Sequence, residues 1–351
     1  MRAIPREPTP VPPVKGSAYR DWLDAQGLTP TWGNYVPDLD DLELVPWPAA
    51  GVAAHVLNHD SSERSNDCVV AELAPGAETV PRHHLHEEMV LVLSGHGSTA
   101  VWQSGGRRHV FEWNSGSLFA IPLNAWYQHY NTSNAEPVRL LSVTNAPIVL
   151  NTFGSESFVF GCDFTFADRF NGTEHSYFDG SGRQQGRIWE TNFVPELARL
   201  NLLEYKARGG RNVHLKLAGN RMGAHMSQFP SGTYKKAHRH GAGAHVVVLT
   251  GRGYSLMWPE GERPQRFDWQ PGSVVIPPEQ WFHQHFNTGP EPASYLALRY
   301  EGSRDHDERG LPLSSISVRE GGGQIEWEDE DPMIREMYRE ECAKAGIQFR
   351  M

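Results

Sequence analysis

Seventeen histidines stand in this chain of 351 residues, and two pairs of them are spaced for metal chemistry. His238 and His240 flank Arg239, and His283 and His285 flank Gln284. Both pairs sit among strand-forming residues. Alternate side chains of a strand share a face, so each pair presents two imidazoles to one side. Two antiparallel strands of this kind can converge on a single ion. Neutral imidazoles bind Zn, Fe, Ni or Cu, and three protein ligands leave positions open for water, substrate or oxygen.

Such histidines need a rigid β framework, and the sequence supplies it twice. VVAEL (69–73), MVLVL (89–93), SLFAIP (117–122) and VRLLSV (138–143) read as strands between turns. The texture returns in HVVVL (245–249), YSLMW (254–258), SVVIP (273–277) and SYLALRY (294–300). Adding 156 to a position in the first set reaches the second without a gap: Gly76 maps to Gly232, His84 to His240, Gly97 to Gly253, Trp102 to Trp258 and Asn131 to Asn287. A register held over some 55 residues marks an internal repeat, hence two all-β barrels or sandwiches. The expected divisions are an N-terminal arm with a short helix (1–45), a first barrel (46–150), a linker (151–210), a second barrel (211–305) and a C-terminal extension with a helix (306–351). Prolines 5, 8, 10, 12 and 13 make the first 15 residues an extended arm. Ser17 caps a helix over 18–26, a turn or helix falls near 194–200, and Asp331 with Pro332 starts a helix that Gly346 ends.

Composition narrows the function classes. The 42 acidic against 32 basic residues give a formal charge of −10, with no basic run, so a nucleic-acid partner is not expected. No apolar stretch is long enough for a membrane span, and the N-terminus lacks a signal-peptide core. Cys68, Cys162 and Cys342 are widely spaced without a CxxC, which suits the cytoplasm.

The segments 232–253 and 272–287 resemble the two signature motifs of the cupin superfamily. Gly232, His238, His240 and Gly251 fit the first motif, and Gly272, Pro278, His283 and Asn287 fit the second, with Gln280 in place of its inner glycine. The resemblance implies a bicupin: two double-stranded β-helix, jelly-roll-like barrels with short N- and C-terminal helical arms. It also implies the ligand set His238, His240 and His283. Where the family carries a glutamate ligand, this chain has Ala244. That departure resembles the ring-cleaving dioxygenases typified by gentisate 1,2-dioxygenase. Such enzymes use Fe(II) and O2 to cleave hydroxylated aromatic acids and often form homo-oligomers, dimers or tetramers. Zn, Mn or Ni are alternative ions. The other function classes are an oxygen-independent lyase, isomerase or hydrolase, and a non-catalytic metabolite-binding bicupin.

With that ligand set, His285 shares the parity of His283 and is the expected acid/base or oxygen-positioning residue, with a supporting hydrogen bond as its other role. Tyr254, Trp258 and Trp281 are expected to form an aromatic wall, or else core. Arg299 is expected to pair with a substrate carboxylate. His245 points away from the ion, and Lys235, Lys236 and Glu87 read as solvated edge charges. In the first barrel the positions of His238, His240, Ala244 and His283 hold Arg82, His84, Glu88 and Tyr127. That copy is expected to be a degenerate, structural barrel. The alternative is a second metal site on His84, Glu88 and His129.

Overall fold

The computed structural model describes residues 16–58, 65–206, 208–241, 243–301 and 312–351. The arm expected over 1–15 lies outside the described residues. The rest forms two barrels, each a large sheet facing a three-stranded one. In the first barrel, Val52–Asn58, Asp67–Leu73, Val138–Thr144, Glu88–Ser94 and Leu118–Ile121 make the large sheet. His109–Asn114, His96–Trp102 and Trp126–Asn131 make the small one. The second barrel repeats this with Arg211–Leu217, Met222–Phe229, Ala293–Tyr300, His245–Thr250 and Val274–Val275 facing Gln265–Trp269, Gly253–Trp258 and Phe282–Asn287.

The two large sheets pack back to back. Val70, Leu91, Leu141 and Val143 of one meet Leu215, Met226, Leu296 and Leu298 of the other in one apolar core. Each large sheet is therefore buried on both faces, which is why MVLVL and HVVVL are continuous apolar runs rather than alternating ones. Matched glycines have matched steric reasons. A Cβ at Gly97 would lie 2.2 Å from Tyr130 O, and one at Gly253 would lie 1.9 Å from Phe286 O.

Two short strands cross between the barrels. Tyr35–Val36, from the arm, pairs with Val274–Val275 of the second barrel. Phe193–Val194, from the linker, pairs with the Leu118 strand of the first. The contacts are equivalent in detail. Ser273 Oγ donates to Pro37 O and Ser117 Oγ to Pro195 O, both at 2.6 Å. Leu39 N donates to Gly272 O and Leu197 N to Gly116 O, both at 2.9 Å. Only Leu197–Arg199 of the turn expected near 194–200 is helical, as a single 3-10 turn.

Helices close the ends. Ala18–Ala25 starts at Ser17, whose Oγ accepts from Arg20 N at 3.3 Å. Ala146–Phe153 and Glu156–Gly161 pack beside it at the mouth of the first barrel. Pro332–Ala345 begins at Asp331 and ends at Gly346 in the left-handed region, with Ile334, Tyr338 and Cys342 buried against the second barrel.

Glu87 is not an edge charge. It is 5% exposed, and its carboxylate accepts from Arg221 N at 2.7 Å, Met222 N at 2.8 Å and Arg169 Nη1 at 2.9 Å. It clasps the two barrels, because only an acceptor there satisfies the backbone N–H groups at the start of the Met222 strand. Glu87→Ala is expected to cost about 2–4 kcal/mol by leaving those donors unpaired. Calorimetry would register this as a melting temperature several degrees lower.

Candidate metal centre

The strands Gly253–Trp258 and Phe282–Asn287 pair so that Met257 faces His283 and Ser255 faces His285. The segment before the His245 strand runs antiparallel to the second of these. His238 N donates to His283 O at 3.1 Å, and His283 N donates back to His238 O at 2.9 Å. Gln280 enters the left-handed region at φ 62°, and its N–H bonds His240 O at 3.0 Å. That backbone is strained for a residue with a Cβ, and it fixes the turn into His283.

These constraints bring His238, His240 and His283 together, with one ring nitrogen from each within 4.8 Å of the others. The second nitrogens identify which ones. Nδ1 of His238 lies 3.3 Å from Lys236 O, that of His240 3.0 Å from Gly241 O, and that of His283 3.2 Å from Trp281 O. A carbonyl partner keeps the proton on Nδ1 and leaves the Nε2 lone pair for a ligand. Burial holds His238 and His240 well below the usual imidazole range and pushes His283 down to about 3, so all three are neutral. The donor set fits a divalent ion of the Mn, Fe, Zn or Ni type.

Two described cations bear on the cluster. Arg208 bears on all three ligands, and Arg299 on His240 and His283. Arg299 is half-buried and reaches Gly241 O at 3.5 Å. Ala244, in the family's glutamate position, is buried in an apolar cluster. Arg208 was invisible to strand periodicity, because it lies in the turn before the Arg211 strand and is held there by Ser314, Ser315 and Gln324 of the C-terminal extension.

Lys235 also departs from expectation. It is 2% exposed, donates to Ser227 Oγ, and lies over the rings of Phe229 and Tyr295 at 5.5 and 5.1 Å. Burial, with Arg208 adding to it, pushes its ammonium down to about 7. Lys236 is half-buried, paired with Glu326. The segment 233–240 makes only isolated bridges, so simple alternation does not assign its side chains.

Tyr254 and Trp258 do not line the site. They pair with Phe286 and Phe282, and they face away from His283 and His285. Tyr254 stacks on Phe286 at 4.6 Å, beneath Tyr338 of the C-terminal helix, and Trp258 joins the same cluster. Trp281 packs against the apolar cluster of the barrel interior. His285 does point inward, with Nδ1 2.7 Å from Ser255 Oγ, which also accepts from Trp269 Nε1 at 3.1 Å. The first barrel has the same chain: Trp113 Nε1, Thr99 Oγ1 and His129 Nδ1, at 2.8 and 2.7 Å. This Trp–hydroxyl–His chain is common to both barrels. His245 faces the other barrel, where its Nδ1 meets Asn66 Nδ2 at 3.1 Å.

The first barrel does not assemble His84, Glu88 and His129 as ligands. The Tyr127 hydroxyl takes the central place, 3.0 Å from His84 Nε2, 2.8 Å from Glu88 Oε2 and 2.6 Å from Arg82 Nε. His129 bonds Thr99 instead. Among the described residues, the His238 triad is the one metal-ligand cluster. None of the described helices is long and apolar enough to cross a membrane.

Residues 69–144 match the family model described as Cupin domain. Glucose-6-phosphate isomerase of Pyrococcus abyssi is 40% identical over 82 residues, 22% of this chain and 41% of that protein. Its counterpart in Thermococcus gammatolerans is 36% identical over 98 residues, 25% of this chain and 50% of that protein. The chain thus spans at most half the length of these curated relatives. Among solved structures, a deletion mutant of Bacillus subtilis oxalate decarboxylase superposes with a TM-score of 0.51 at 15% identity, covering 77% of this chain and 78% of that one. A structure of the same enzyme, studied for its Mn(II) centres, gives 0.52 at 15% identity, covering 78% of each chain. The two-barrel arrangement is that of a bicupin.

Proposed function

We propose that this bicupin is a metal-dependent enzyme whose second barrel performs lyase or isomerase chemistry on a small anion. The observation that carries the reading is the neutral three-histidine cluster with Arg208 and Arg299 bearing on it and Lys235 bearing on the neighbouring His285. A divalent ion bound there supplies Lewis-acid polarisation of substrate oxygens. The chain supplies the rest. Arg299 and Arg208 attract a carboxylate or phosphate and orient it. Lys235 Nζ, poised near neutrality, takes or returns a proton next to the bound anion. His285, tied to Ser255, positions the floor of the site. The apolar cluster around Met257 and Tyr295 excludes water. The names of the similar proteins support an anionic substrate, since oxalate and glucose 6-phosphate are both anions.

One observation favours a second reading. Ala244 removes the carboxylate ligand and leaves three neutral imidazoles. That arrangement supports the Fe(II)-dependent cleavage of a hydroxylated aromatic acid with O2 that the gentisate 1,2-dioxygenase resemblance implies. An oxygen electrode separates the two. Mn(II)- and Fe(II)-loaded protein would be given small carboxylates, sugar phosphates and hydroxylated aromatic acids. Turnover of an anion without stoichiometric O2 uptake is the expected result. Uptake matched to loss of an aromatic acid would establish the dioxygenase instead.

A further inference from the structure

The first barrel has an open-mouthed cavity of about 640 Å3, a size suited to a small organic molecule. Trp22, Trp47 and Phe160 give it aromatic walls, and Asp67 and Glu88 line it as carboxylates. Both acids are at most 2% exposed. Glu88 is compensated: it bonds His84 at 3.1 Å and, through the Tyr127 hydroxyl, communicates with Arg82. Arg82 is held between the rings of Trp47 and Tyr127, 5.2 Å from each. Asp67 accepts from Thr144 Oγ1 at 2.6 Å and from the Tyr19 hydroxyl at 2.8 Å, and among the described residues no cation pairs with it. Glu156, at the mouth, adds a third carboxylate. The count is one guanidinium against two buried acids and one exposed acid. A buried carboxylate without a cation is costly, and burial pushes Asp67 up to about 6. His86, 7% exposed, lines the same cavity, and its Nδ1 makes no hydrogen bond with the described residues.

Comparison with the second barrel sharpens the point. Thr144 pairs with Asp67 in the first barrel, and Arg299 pairs with Gly223 at the equivalent place in the second. The sign of the charge is reversed at that pair of positions. We infer that the first barrel is a receptor site for a small organic ammonium ion, with Asp67 as its counter-ion and the three aromatic side chains as its walls. Aromatic faces attract cations, which adds to the carboxylate's pull. The inference is independent of the reaction assigned to the second barrel.

The test is calorimetric titration of the full-length protein with phenethylamine, compared with 2-phenylethanol and phenylacetate, which keep the ring and change the charge. Phenethylamine is expected to fill one site per chain at least tenfold more tightly than 2-phenylethanol, and a tenfold excess of phenylacetate is expected not to displace it. Asp67→Asn should weaken the amine at least tenfold. Ala71→Trp fills the cavity from its strand wall without touching the Tyr19–Asp67 bond, and should abolish binding even if Asp67→Asn disturbs the fold. His240→Ala, in the other barrel, should leave the affinity unchanged. The proposal is overturned by absence of phenethylamine binding, by displacement of the amine by phenylacetate, by amine binding that survives both first-barrel substitutions, or by its loss in His240→Ala.

Discussion

His240→Ala is expected to strip the protein of its metal and abolish turnover while leaving the fold intact. His240 is one of the three proposed ligands, and two imidazoles would not hold the ion against solvent. Loss of supporting partners alone typically costs ten- to hundredfold in metal affinity, so losing a ligand should cost at least about a hundredfold. His240 is only partly buried, so its truncation leaves no closed cavity. Elemental analysis should fall from about one ion per chain in the native protein to a small fraction of that. Melting gives a second readout. A ligand at a thousand times its dissociation constant stabilises by about 4 kcal/mol. Native protein should gain that on adding metal, and His240→Ala should gain nothing. The metal-free forms of both should melt together. A variant that keeps stoichiometric metal would remove the three-histidine assignment.

Lys235→Met is expected to move stability and activity in opposite directions. The Lys235 ammonium is pushed down to about 7 by burial, against about 10.4 in an unfolded chain. Between these values the unfolded state binds more protons, so native stability rises with pH from about 7 to 10.4 and is independent of this group below 7. At pH 8 the native state still pays for surrendering the proton, roughly 3 kcal/mol on the scale of 1.36 kcal/mol per pH unit. Methionine removes that cost and the slope, losing only the bond to Ser227. A net gain of about 1–3 kcal/mol at pH 8 is expected, by denaturant titration. Turnover should fall by about 10²–10⁴, the usual worth of a positioned acid or base. A variant with unchanged turnover would return Lys235 to a packing role.

Much of this architecture was legible because local rules and global packing agree. Ser17 and Asp331 cap the helices they announce, and the 156-residue offset places both barrels. The histidine pairs announce the candidate cluster because strand alternation and turn spacing act together. Other features were legible but unread. Asn34 to Leu39 reads NYVPDL and Asn192 to Leu197 reads NFVPEL, a repeat at offset 158 that lies outside the barrels' own register. Pairing Tyr254 with Phe286 would have sent Tyr254 outward, since His285 fixes the inward parity. Three things could not be read. Lys235 lies on a bridge rather than a strand, Arg208 enters from a turn, and the Nδ1 partners of the ligands are main-chain carbonyls without residue identity.

The two crossing strands carry a consequence for how the halves came to differ. Each barrel is completed by a segment that leads, along the chain, into the other: Tyr35–Val36 closes the second and Phe193–Val194 closes the first. This is the geometry of a strand-exchanged homodimer whose subunits have been fused. Separate expression of either half would leave one sheet short of an edge strand and one strand without a sheet. In such a dimer, two-fold symmetry obliges both subunits to carry the same site. Fusion lifts that obligation while the exchange keeps the halves together. In the joined chain one barrel carries three clustered imidazoles, and the other holds Arg82 and Tyr127 in place of two of them, beside two carboxylates and an aromatic-walled room.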